Sequence, residues 1–292
     1  GAMLMGGFSC AGARQILMPR FELEESLRLV EKHRITLFFA VPPVLLAMAN
    51  LPDLERFDLS SLRFILSGAA PLPPEVRARV QERTGVLTFM GYGLTEASPL
   101  THSNPAVEAF IKPDSVGPPV SDGEQKVVDL ETGEKELPPG EVGELIVRGP
   151  HIMKGYWNAP EETANALRDG WLYTGDIVRA DEDGYVFILD RKKEMIKYKG
   201  FAVAPAELEA ALHQLSGVLD AAVVGKPDAE GGEIPKAFVV VREEDPPSAD
   251  EIMAFVRERV AGFKRIREVE FVDAIPKSPS GKILRRVLKE RA

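Results

Sequence analysis

The fold is decided by residues 86–96, which read VLTFMGYGLTE. The apolar run 86–90 predicts a buried strand, and the glycines behind it predict a turn at the strand's end. The preceding residues 74–83, closed by Gly85, predict a helix with a glycine at its C-terminus. A helix that leads into a buried strand is one half of a β-α-β unit, the building block of parallel sheets.

The same alternation extends toward the N-terminus. Strands are predicted at residues 15–18, 35–41 and 62–66, and helices at 22–33 and 43–50. Because consecutive strands joined through helices lie parallel, residues 4–110 are expected to form part of an open parallel α/β sheet.

Ligands bind such sheets beyond the carboxyl ends of the strands. One loop at that edge carries Gly68, Ala69 and Ala70, whose small side chains let a flat ring approach the backbone. The other is the loop 91–96, which offers an aromatic ring, a hydroxyl and a carboxylate. Both loops are expected to converge on one cleft.

Two further units are predicted downstream. Residues 111–190 contain short strands at 126–130, 143–147, 176–179 and 185–189, the last two joined by the turn 181–184, which indicates a small β-barrel or sandwich. Residues 191–292 indicate a mobile α+β domain, with helices at 205–213, 249–260 and 283–290 and strands at 218–224, 237–241 and 268–272. Residues 1–3 resemble the remnant of an expression tag.

Composition excludes several classes of function. A formal net charge of −9 argues against a large nucleic-acid footprint and against anionic membranes. No apolar run reaches the roughly 18 residues that a membrane-spanning helix needs. The single cysteine, Cys10, excludes an intramolecular disulfide and favours a reducing, cytoplasmic compartment. The four histidines lack the spacing of a metal site.

Several polar, glycine-rich motifs follow one another in a fixed order. Taken one at a time, each has an ordinary structural explanation as a helix cap, a tight turn or a solvated lysine. Taken in order, the chain resembles the ANL superfamily of acyl- and aryl-CoA synthetases, peptide-synthetase adenylation domains and beetle luciferases, and is most similar to 4-coumarate and fatty acyl-CoA ligases. The matching segments are residues 67–71, 91–96, 143–149 with 155–157, 170–176, 190–205 and 276–286.

This resemblance implies an α/β acyl-CoA synthetase fold and roles in forming an acyl-adenylate from ATP and a small carboxylic acid. Tyr92 would stack on adenine, the Thr95 hydroxyl would bind the α-phosphate, and Glu96 would help to hold Mg²⁺. Asp176 would accept both ribose hydroxyls with support from Arg191. Lys282 would neutralise charge while the substrate carboxylate attacks the α-phosphate. The remaining implied nucleotide-binding residues are Gly68, Ala69, Ala70, Gly91, Gly93 and Ile188.

A second set of roles belongs to transfer of the acyl group to coenzyme A. In the family the C-terminal domain rotates between the two steps, and the resemblance places the hinge at Lys193. Lys197 would act catalytically on the thiolation face, and Lys199, Gly200 and Phe201 would bind CoA. The segment 192–199 also has the composition of a solvated charge run, so both explanations stay open.

Two departures from the family pattern bear on activity. The family's upstream phosphate loop and acyl-pocket aromatic segment are absent from residues 1–292, so the chain is expected to be truncated and inactive by itself. Ala202 stands where related ligases often carry glutamine, which weakens the expectation of a full adenylation rate. A truncated sheet is also expected to leave a strand unpaired near residues 15–18 and to promote self-association.

Two other functions stay open. The first is an adenylation domain that loads a carrier protein, which a fused carrier domain downstream would support. The second is a non-catalytic remnant that binds a nucleotide or a partner. Release of pyrophosphate after the missing half is supplied in trans would separate the enzymes from the remnant.

Overall fold

The computed structural model describes residues 3–242, 244, 246–278 and 282–292 and divides into two compact units. Unit 1 comprises Gly1–Thr174 and Val178–Ile188, and unit 2 comprises Gly175–Ile177 and Leu189–Ala292. The α-helices are α1 (Phe8–Cys10), α2 (Leu23–His33), α3 (Pro42–Asn50), α4 (Pro74–Thr84), α5 (Pro160–Ala166), α6 (Pro205–Leu212), α7 (Ala249–Arg257) and α8 (Arg285–Lys289). The strands of unit 1, with β8 and β9 running on into unit 2, are β1 (Leu37–Ala40), β2 (Phe64–Ser67), β3 (Leu87–Gly93), β4 (Leu100–Ser103), β5 (Glu124–Val128), β6 (Val142–Arg148), β7 (Leu167–Arg168), β8 (Trp171–Ala180) and β9 (Val186–Arg191). The strands of unit 2 are β10 (Ile196–Tyr198), β11 (Phe201–Val203), β12 (Val218–Asp228), β13 (Gly232–Val241) and β14 (Glu268–Phe271).

The first sheet of unit 1 has the strand order β1-β2-β3-β4. Strands β1, β2 and β3 run parallel, as predicted, and β4 returns antiparallel to β3. Helix α4 ends where predicted, because Gly85 adopts a left-handed conformation with φ 67° that favours glycine. The helices pack against the sheet through buried apolar residues such as Leu27, Leu45 and Ile65.

The strand predicted at residues 15–18 is wrong, since this segment has no regular structure. The Gln15 side chain instead donates to the carbonyl of Met5 and to the hydroxyl of Ser9, at 3.0 and 2.8 Å. A local hydrogen-bond set of this kind competes with pairing in a sheet. Strand β1, not residues 15–18, lies at the end of the sheet in the described part of the chain.

The second sheet of unit 1 has the order β5-β6-β8-β7, with β9 also pairing with β8. The predicted hairpin at residues 181–184 is confirmed, since Asp181 and Tyr185 hydrogen-bond across it. The prediction of a small barrel is wrong: within the described residues the path ends at β5 on one side and at β7 on the other, so the sheet stays open. Strand β7 has only two residues, too few to continue the sheet toward closure.

Unit 2 is an α+β fold, as predicted. Its sheet has the order β11-β10-β13-β12, and β14 pairs parallel to β13. Alternate residues of β12 face opposite sides: Ala221 and Val223 pack with α6 and α7, whereas Ala222 and Val224 pack with Leu288 of α8. Helix α7 begins with a capping box in which Ser248 and Glu251 satisfy each other's backbone N–H groups.

The final helix is shorter than predicted, because α8 begins at Arg285 rather than at residue 283. Among the residues that the structure describes, none of the helices combines the length and apolar character needed to cross a bilayer.

Candidate functional site

The glycine-rich ends of β2 and β3 lie side by side in unit 1. Ser67 is in register with Met90, so that Gly68 follows one strand where Gly91 continues its neighbour. A Cβ on Gly68 would lie 3.5 Å from the Gly91 carbonyl, and one on Gly93 would lie only 2.0 Å from the Pro99 carbonyl. The backbone can therefore run this close only because side chains are missing. Ala69, at φ 74°, and Ala70 complete the first loop.

Tyr92 is half-buried and packs against His102. The rings of Tyr92 and His102 are 5.8 Å apart, and the two residues pair directly between β3 and β4. His102 is fully buried and contacts Thr101 Oγ1 through Nδ1 at 3.0 Å and Gln125 Oε1 through Nε2 at 2.7 Å. Burial lowers the pKa of His102 to about 4, opposed by the hydrogen bond to Gln125. The tyrosine is therefore backed by a neutral side chain at neutral pH.

Glu96 is held in place by residues far along the chain. Its carboxylate Oε1 accepts a hydrogen bond from the Tyr156 hydroxyl at 2.7 Å, and its carbonyl accepts from the Met153 amide at 2.7 Å. Thr95 opens the same single turn, Thr95–Ala97, with an exposed side chain. Trp157 follows Tyr156 and is 98% exposed. The Thr95 hydroxyl and a fixed Glu96 carboxylate thus stand together at the end of β3.

Asp176 and Arg191, which the resemblance assigns to a ribose site, form an ion pair in unit 2. Arg191 Nε donates to Asp176 Oδ1 at 2.9 Å, and the Asp176 side chain is only 9% exposed. The Lys192 amide donates to the Gly175 carbonyl at 2.8 Å, which fastens the two segments together. Asp190 next to them is buried, and burial raises the pKa of its carboxyl, although the Ala206 and Arg191 amides donate to it.

The predicted CoA-binding residues occupy a tight hairpin between β10 and β11. Lys199 and Gly200 are its two central residues and both have positive φ, 48° and 83°. This is the requirement of a type I′ turn, so the turn itself accounts for the glycine. Phe201 is 53% exposed and stacks on Phe263 with ring centroids 4.7 Å apart.

A depression of 540 Å³ lies beside this hairpin within unit 2. Its lining includes the predicted hinge residue Lys193 and the predicted catalytic residue Lys197, whose amide donates to Glu233 Oε2 at 2.8 Å. The other lining residues are Lys192, Met195, Gly232 and Lys289. Four lysines against one glutamate give the depression a positive charge.

Lys282 is exposed and lies on the second arm of a short hairpin. Its amide donates to Ser278 Oγ at 3.1 Å, and its carbonyl accepts from the Ser278 amide at 2.8 Å. The matching segment 276–286 falls partly outside the described residues, because residues 279–281 are not among them.

The structure distributes the predicted residues over both units. Within unit 1 it brings the glycine loops, Tyr92, Thr95 and Glu96 to one edge of the first sheet, while Ile188 lies half-buried on β9 of the second sheet. Unit 2 carries Asp176, Arg191, Lys193, Lys197, Lys199, Gly200, Phe201 and Lys282. Among the described residues there is no group of three or more metal-ligating side chains.

Sequence reasoning missed two contacts in unit 1. The Tyr156 hydroxyl binds Glu96 across sixty positions of sequence, and His102 backs Tyr92. The available sequence signal for Tyr156 was its place in the ordered series of motifs, at residues 155–157. No local pattern marks His102.

Two protein-family models match the chain. The model of the AMP-binding enzyme family matches residues 1–157, and that of the AMP-binding enzyme C-terminal domain matches residues 207–282. The chain belongs to the AMP-binding enzyme family, within the ANL superfamily.

Relatives of known name cover nearly all of the chain. It is 47% identical over 286 residues to the 4-coumarate–CoA ligase of Pinus taeda and 44% identical over 279 residues to the long-chain-fatty-acid–CoA ligase of Bacillus subtilis. Both matches cover 96% of this chain but only 53% and 50% of those proteins, so the chain spans about half the length of these relatives. ATP-bound MatB from Rhodopseudomonas palustris is 34% identical, with a TM-score of 0.92 over 99% of this chain and 56% of that one.

Proposed function

We propose that the chain is the part of an AMP-forming carboxylic acid–CoA ligase that carries the adenosine site and the catalytic lysine. ATP and a carboxylic acid would give an acyl-adenylate and pyrophosphate, and CoA would then take the acyl group as a thioester. The observation that carries this proposal is the Asp176–Arg191 pair, in a chain 47% identical to a 4-coumarate–CoA ligase. Two oxygens of one carboxylate suit the adjacent hydroxyls of a ribose, and the hydrogen bond from Arg191 orients that carboxylate.

The adenylation step rests on unit 1 and on Lys282. Tyr92 presents its ring for stacking on adenine beside the side-chain-free backbone of Gly91 and Gly93. The Thr95 hydroxyl would bind the α-phosphate. Glu96 supplies a hard oxygen ligand for Mg²⁺, which prefers few carboxylates together with substrate phosphates, and a single carboxylate is in keeping with that preference. When bound, the metal would neutralise phosphate charge.

The other nucleotide contacts that we propose are Gly68, Ala69, Ala70 and Ile188. Lys282 would offset charge as the substrate carboxylate approaches the α-phosphate, two anions that otherwise repel each other.

The thioester step rests on the lysines of unit 2. Lys197, Lys199 and the depression they adjoin form a cationic surface in a chain of net charge −9, which favours the phosphates of CoA. Gly200 and Phe201 would contact the pantetheine arm, and Lys193 would act as the hinge between the two steps. We propose that the reaction takes place in the cytoplasm, which supplies both ATP and CoA.

The proposal is tested by calorimetric titration of the chain with AMP and with ATP, each with and without Mg²⁺. Asp176→Ala is expected to weaken AMP binding about tenfold or more, because it removes charge-assisted hydrogen bonds to the ribose. Asp183→Ala is the matched control, since it removes an exposed aspartate of the 181–184 turn. AMP binding that is equal in both variants would refute the ribose assignment.

A further inference from the structure

The segment that carries Lys282 has two paired arms, residues 276–278 and 282–284, which we call the Lys282 hairpin. Lys277 and Ile283 pair antiparallel across it, and the Leu284 amide donates to the Pro276 carbonyl at 2.8 Å. The two hydrogen bonds between Ser278 and Lys282 continue this pairing toward the tip. The described part of the hairpin is thus a closed stem, and whatever holds the stem sets the position from which Lys282 starts.

The first arm is held by an aspartate of β12. Lys277 Nζ donates to Asp220 Oδ2 at 2.6 Å, while Asp220 Oδ1 accepts from the Ala221 amide at 3.0 Å. The β12–β13 register shifts between Val218 and Asp220, the irregularity of a bulge. Both side chains are about one-third exposed, at 36% and 26%, so this anchor is open to solvent and salt.

The second arm leads directly into a buried anchor. Arg285, at the start of α8, donates from Nη2 to both carboxylate oxygens of Glu209, at 2.8 and 2.7 Å. Glu209 lies on α6 and also accepts the Val223 amide of β12 at 2.8 Å. The side chains of Arg285 and Glu209 are only 17% and 11% exposed. Burial raises the pKa of Glu209, and Arg285 opposes that rise.

In both anchors a carboxylate accepts an amide of β12 and also binds a cation next to the hairpin. Strand β12 ends the path of its sheet in the described residues, so its outward amides need acceptors from elsewhere. Asp220 and Glu209 accept two of them, at Ala221 and Val223, and each carboxylate also binds the cation that flanks Lys282 on its side. The edge of one strand thereby holds both arms of the hairpin.

The buried pair is a poor device for stability alone. Arg285 Nε is buried and has no hydrogen-bond partner among the described residues. Removing two charges from water and leaving one donor unsatisfied offsets much of what the ion pair contributes. A buried ion pair with this defect is better explained by the geometry that it imposes than by the stability that it adds.

We propose that Arg285 and Glu209, assisted by Lys277 and Asp220, are positioning residues for Lys282. They hold the stem of the Lys282 hairpin on the edge of β12, so that the lysine is presented from a fixed base. The catalytic consequence rests on the function proposed above for Lys282, whereas the anchoring itself does not.

Amide hydrogen exchange on the chain tests the anchoring. Arg285→Met is expected to speed exchange at Lys282 and Leu284 about tenfold or more, while the amides paired between β12 and β13 keep their protection. Arg286→Met is the matched control. The Arg286 side chain is next in sequence to Arg285 but is 90% exposed, and its Nε lies 4.0 Å from Glu290 Oε1. Hairpin exchange that is the same in both variants would overturn the proposal.

A second pair of variants covers the case in which Arg285→Met unfolds unit 2. Asp220→Lys is expected to speed amide hydrogen exchange in the first arm about threefold. Adding Lys277→Asp should restore protection, because the double variant has the same exposed ion pair with its charges exchanged. High salt should mimic Asp220→Lys but leave the buried anchor in place. Failure of the reversed pair to recover would contradict the anchoring role of β12.

The catalytic consequence is measured in an enzyme of the relatives' full length that contains this chain. Arg285→Met is expected to slow adenylate formation tenfold or more and to change thioester formation from preformed adenylate by less than twofold, with Arg285→Lys in between. Equal losses in both half-reactions would show a merely structural role. Lys282→Ala separates the two proposals: if it leaves adenylate formation unchanged, the assigned role of Lys282 fails, although the exchange result stands.

Discussion

The two units hold their candidate site residues by different means. In unit 1 close packing holds them. The backbone of Gly91 and Gly93 lies against neighbouring carbonyls, and Tyr92 packs against the fully buried His102. In unit 2 side-chain charges hold the segment that carries Lys282: the flanking cations Lys277 and Arg285 bind the carboxylates of Asp220 and Glu209. Close backbone packing leaves no room for a side chain, whereas an ion pair can be removed by a single substitution or, where it is exposed, weakened by salt.

Replacing a glycine in each unit tests this difference most directly. Gly93→Ala is expected to destabilise unit 1 by about 3 kcal/mol, because the new Cβ would lie 2.0 Å from the backbone oxygen of Pro99. Gly200→Ala should cost only about 1 kcal/mol, since its turn requires φ 83° but nothing lies within 4 Å of the added atom. Urea unfolding of both variants measures the contrast. Equal losses would mean that close backbone packing does not distinguish the units.

The free energy of unfolding, measured over a range of pH, tests the role of His102, which packs against Tyr92. The folded-state pKa of His102 is lowered from 6.5 to about 4, so the unfolded chain binds the proton first as pH falls. Its contribution to stability is therefore complete above pH 6.5 and is lost toward pH 4. Between pH 7 and pH 5 the loss should be about 2 kcal/mol.

The variant His102→Phe isolates this contribution. It should remove this part of the pH dependence, whereas His33→Gln should keep it. The measurement is the free energy of unfolding at pH 7 and pH 5 for the three proteins. A pH slope that survives in His102→Phe would assign the effect to another group.

The smallest expected effect concerns Glu96, whose carboxylate accepts a hydrogen bond from the Tyr156 side chain. Tyr156→Phe removes the hydroxyl that binds Glu96 and should raise the Mg²⁺ concentration needed for ATP binding about threefold. Tyr173→Phe is the control, because it loses a similar hydrogen bond, to the Gly133 carbonyl, elsewhere in unit 1. Equal Mg²⁺ dependence in the two variants would show that the Tyr156 contact does not tune the metal site.

Local patterns predicted most of the fold. Apolar periodicity gave β2, β3 and α4 to within two or three residues, and turn chemistry gave the 181–184 hairpin. The pattern at residues 15–18 misled because a short apolar run becomes a strand only if a neighbour pairs with it, which periodicity does not report. Closure of the second sheet likewise depends on how many strands meet, and no single strand records that number.

In the candidate site too, the sequence predicts neighbours within one motif but not contacts between distant segments. Tyr92, Thr95 and Glu96 are adjacent in sequence, so one motif predicts their neighbourhood. The pairs Tyr156–Glu96 and Arg285–Glu209 are separated by 60 and 76 positions, and each depends on how distant segments pack. Such contacts become visible only in the folded chain, since no spacing rule links their partners.

The exposed Trp157 allows the candidate site of unit 1 to be followed by tryptophan fluorescence. The chain has two tryptophans, and they sit in opposite environments. Trp157 adjoins the Tyr156–Glu96 contact and is almost wholly in water, whereas Trp171 lies half-buried with Arg148 4.6 Å from its ring. A shift of emission toward the blue on adding nucleotide would therefore report on Trp157, and Trp171→Phe would isolate that signal without an external dye.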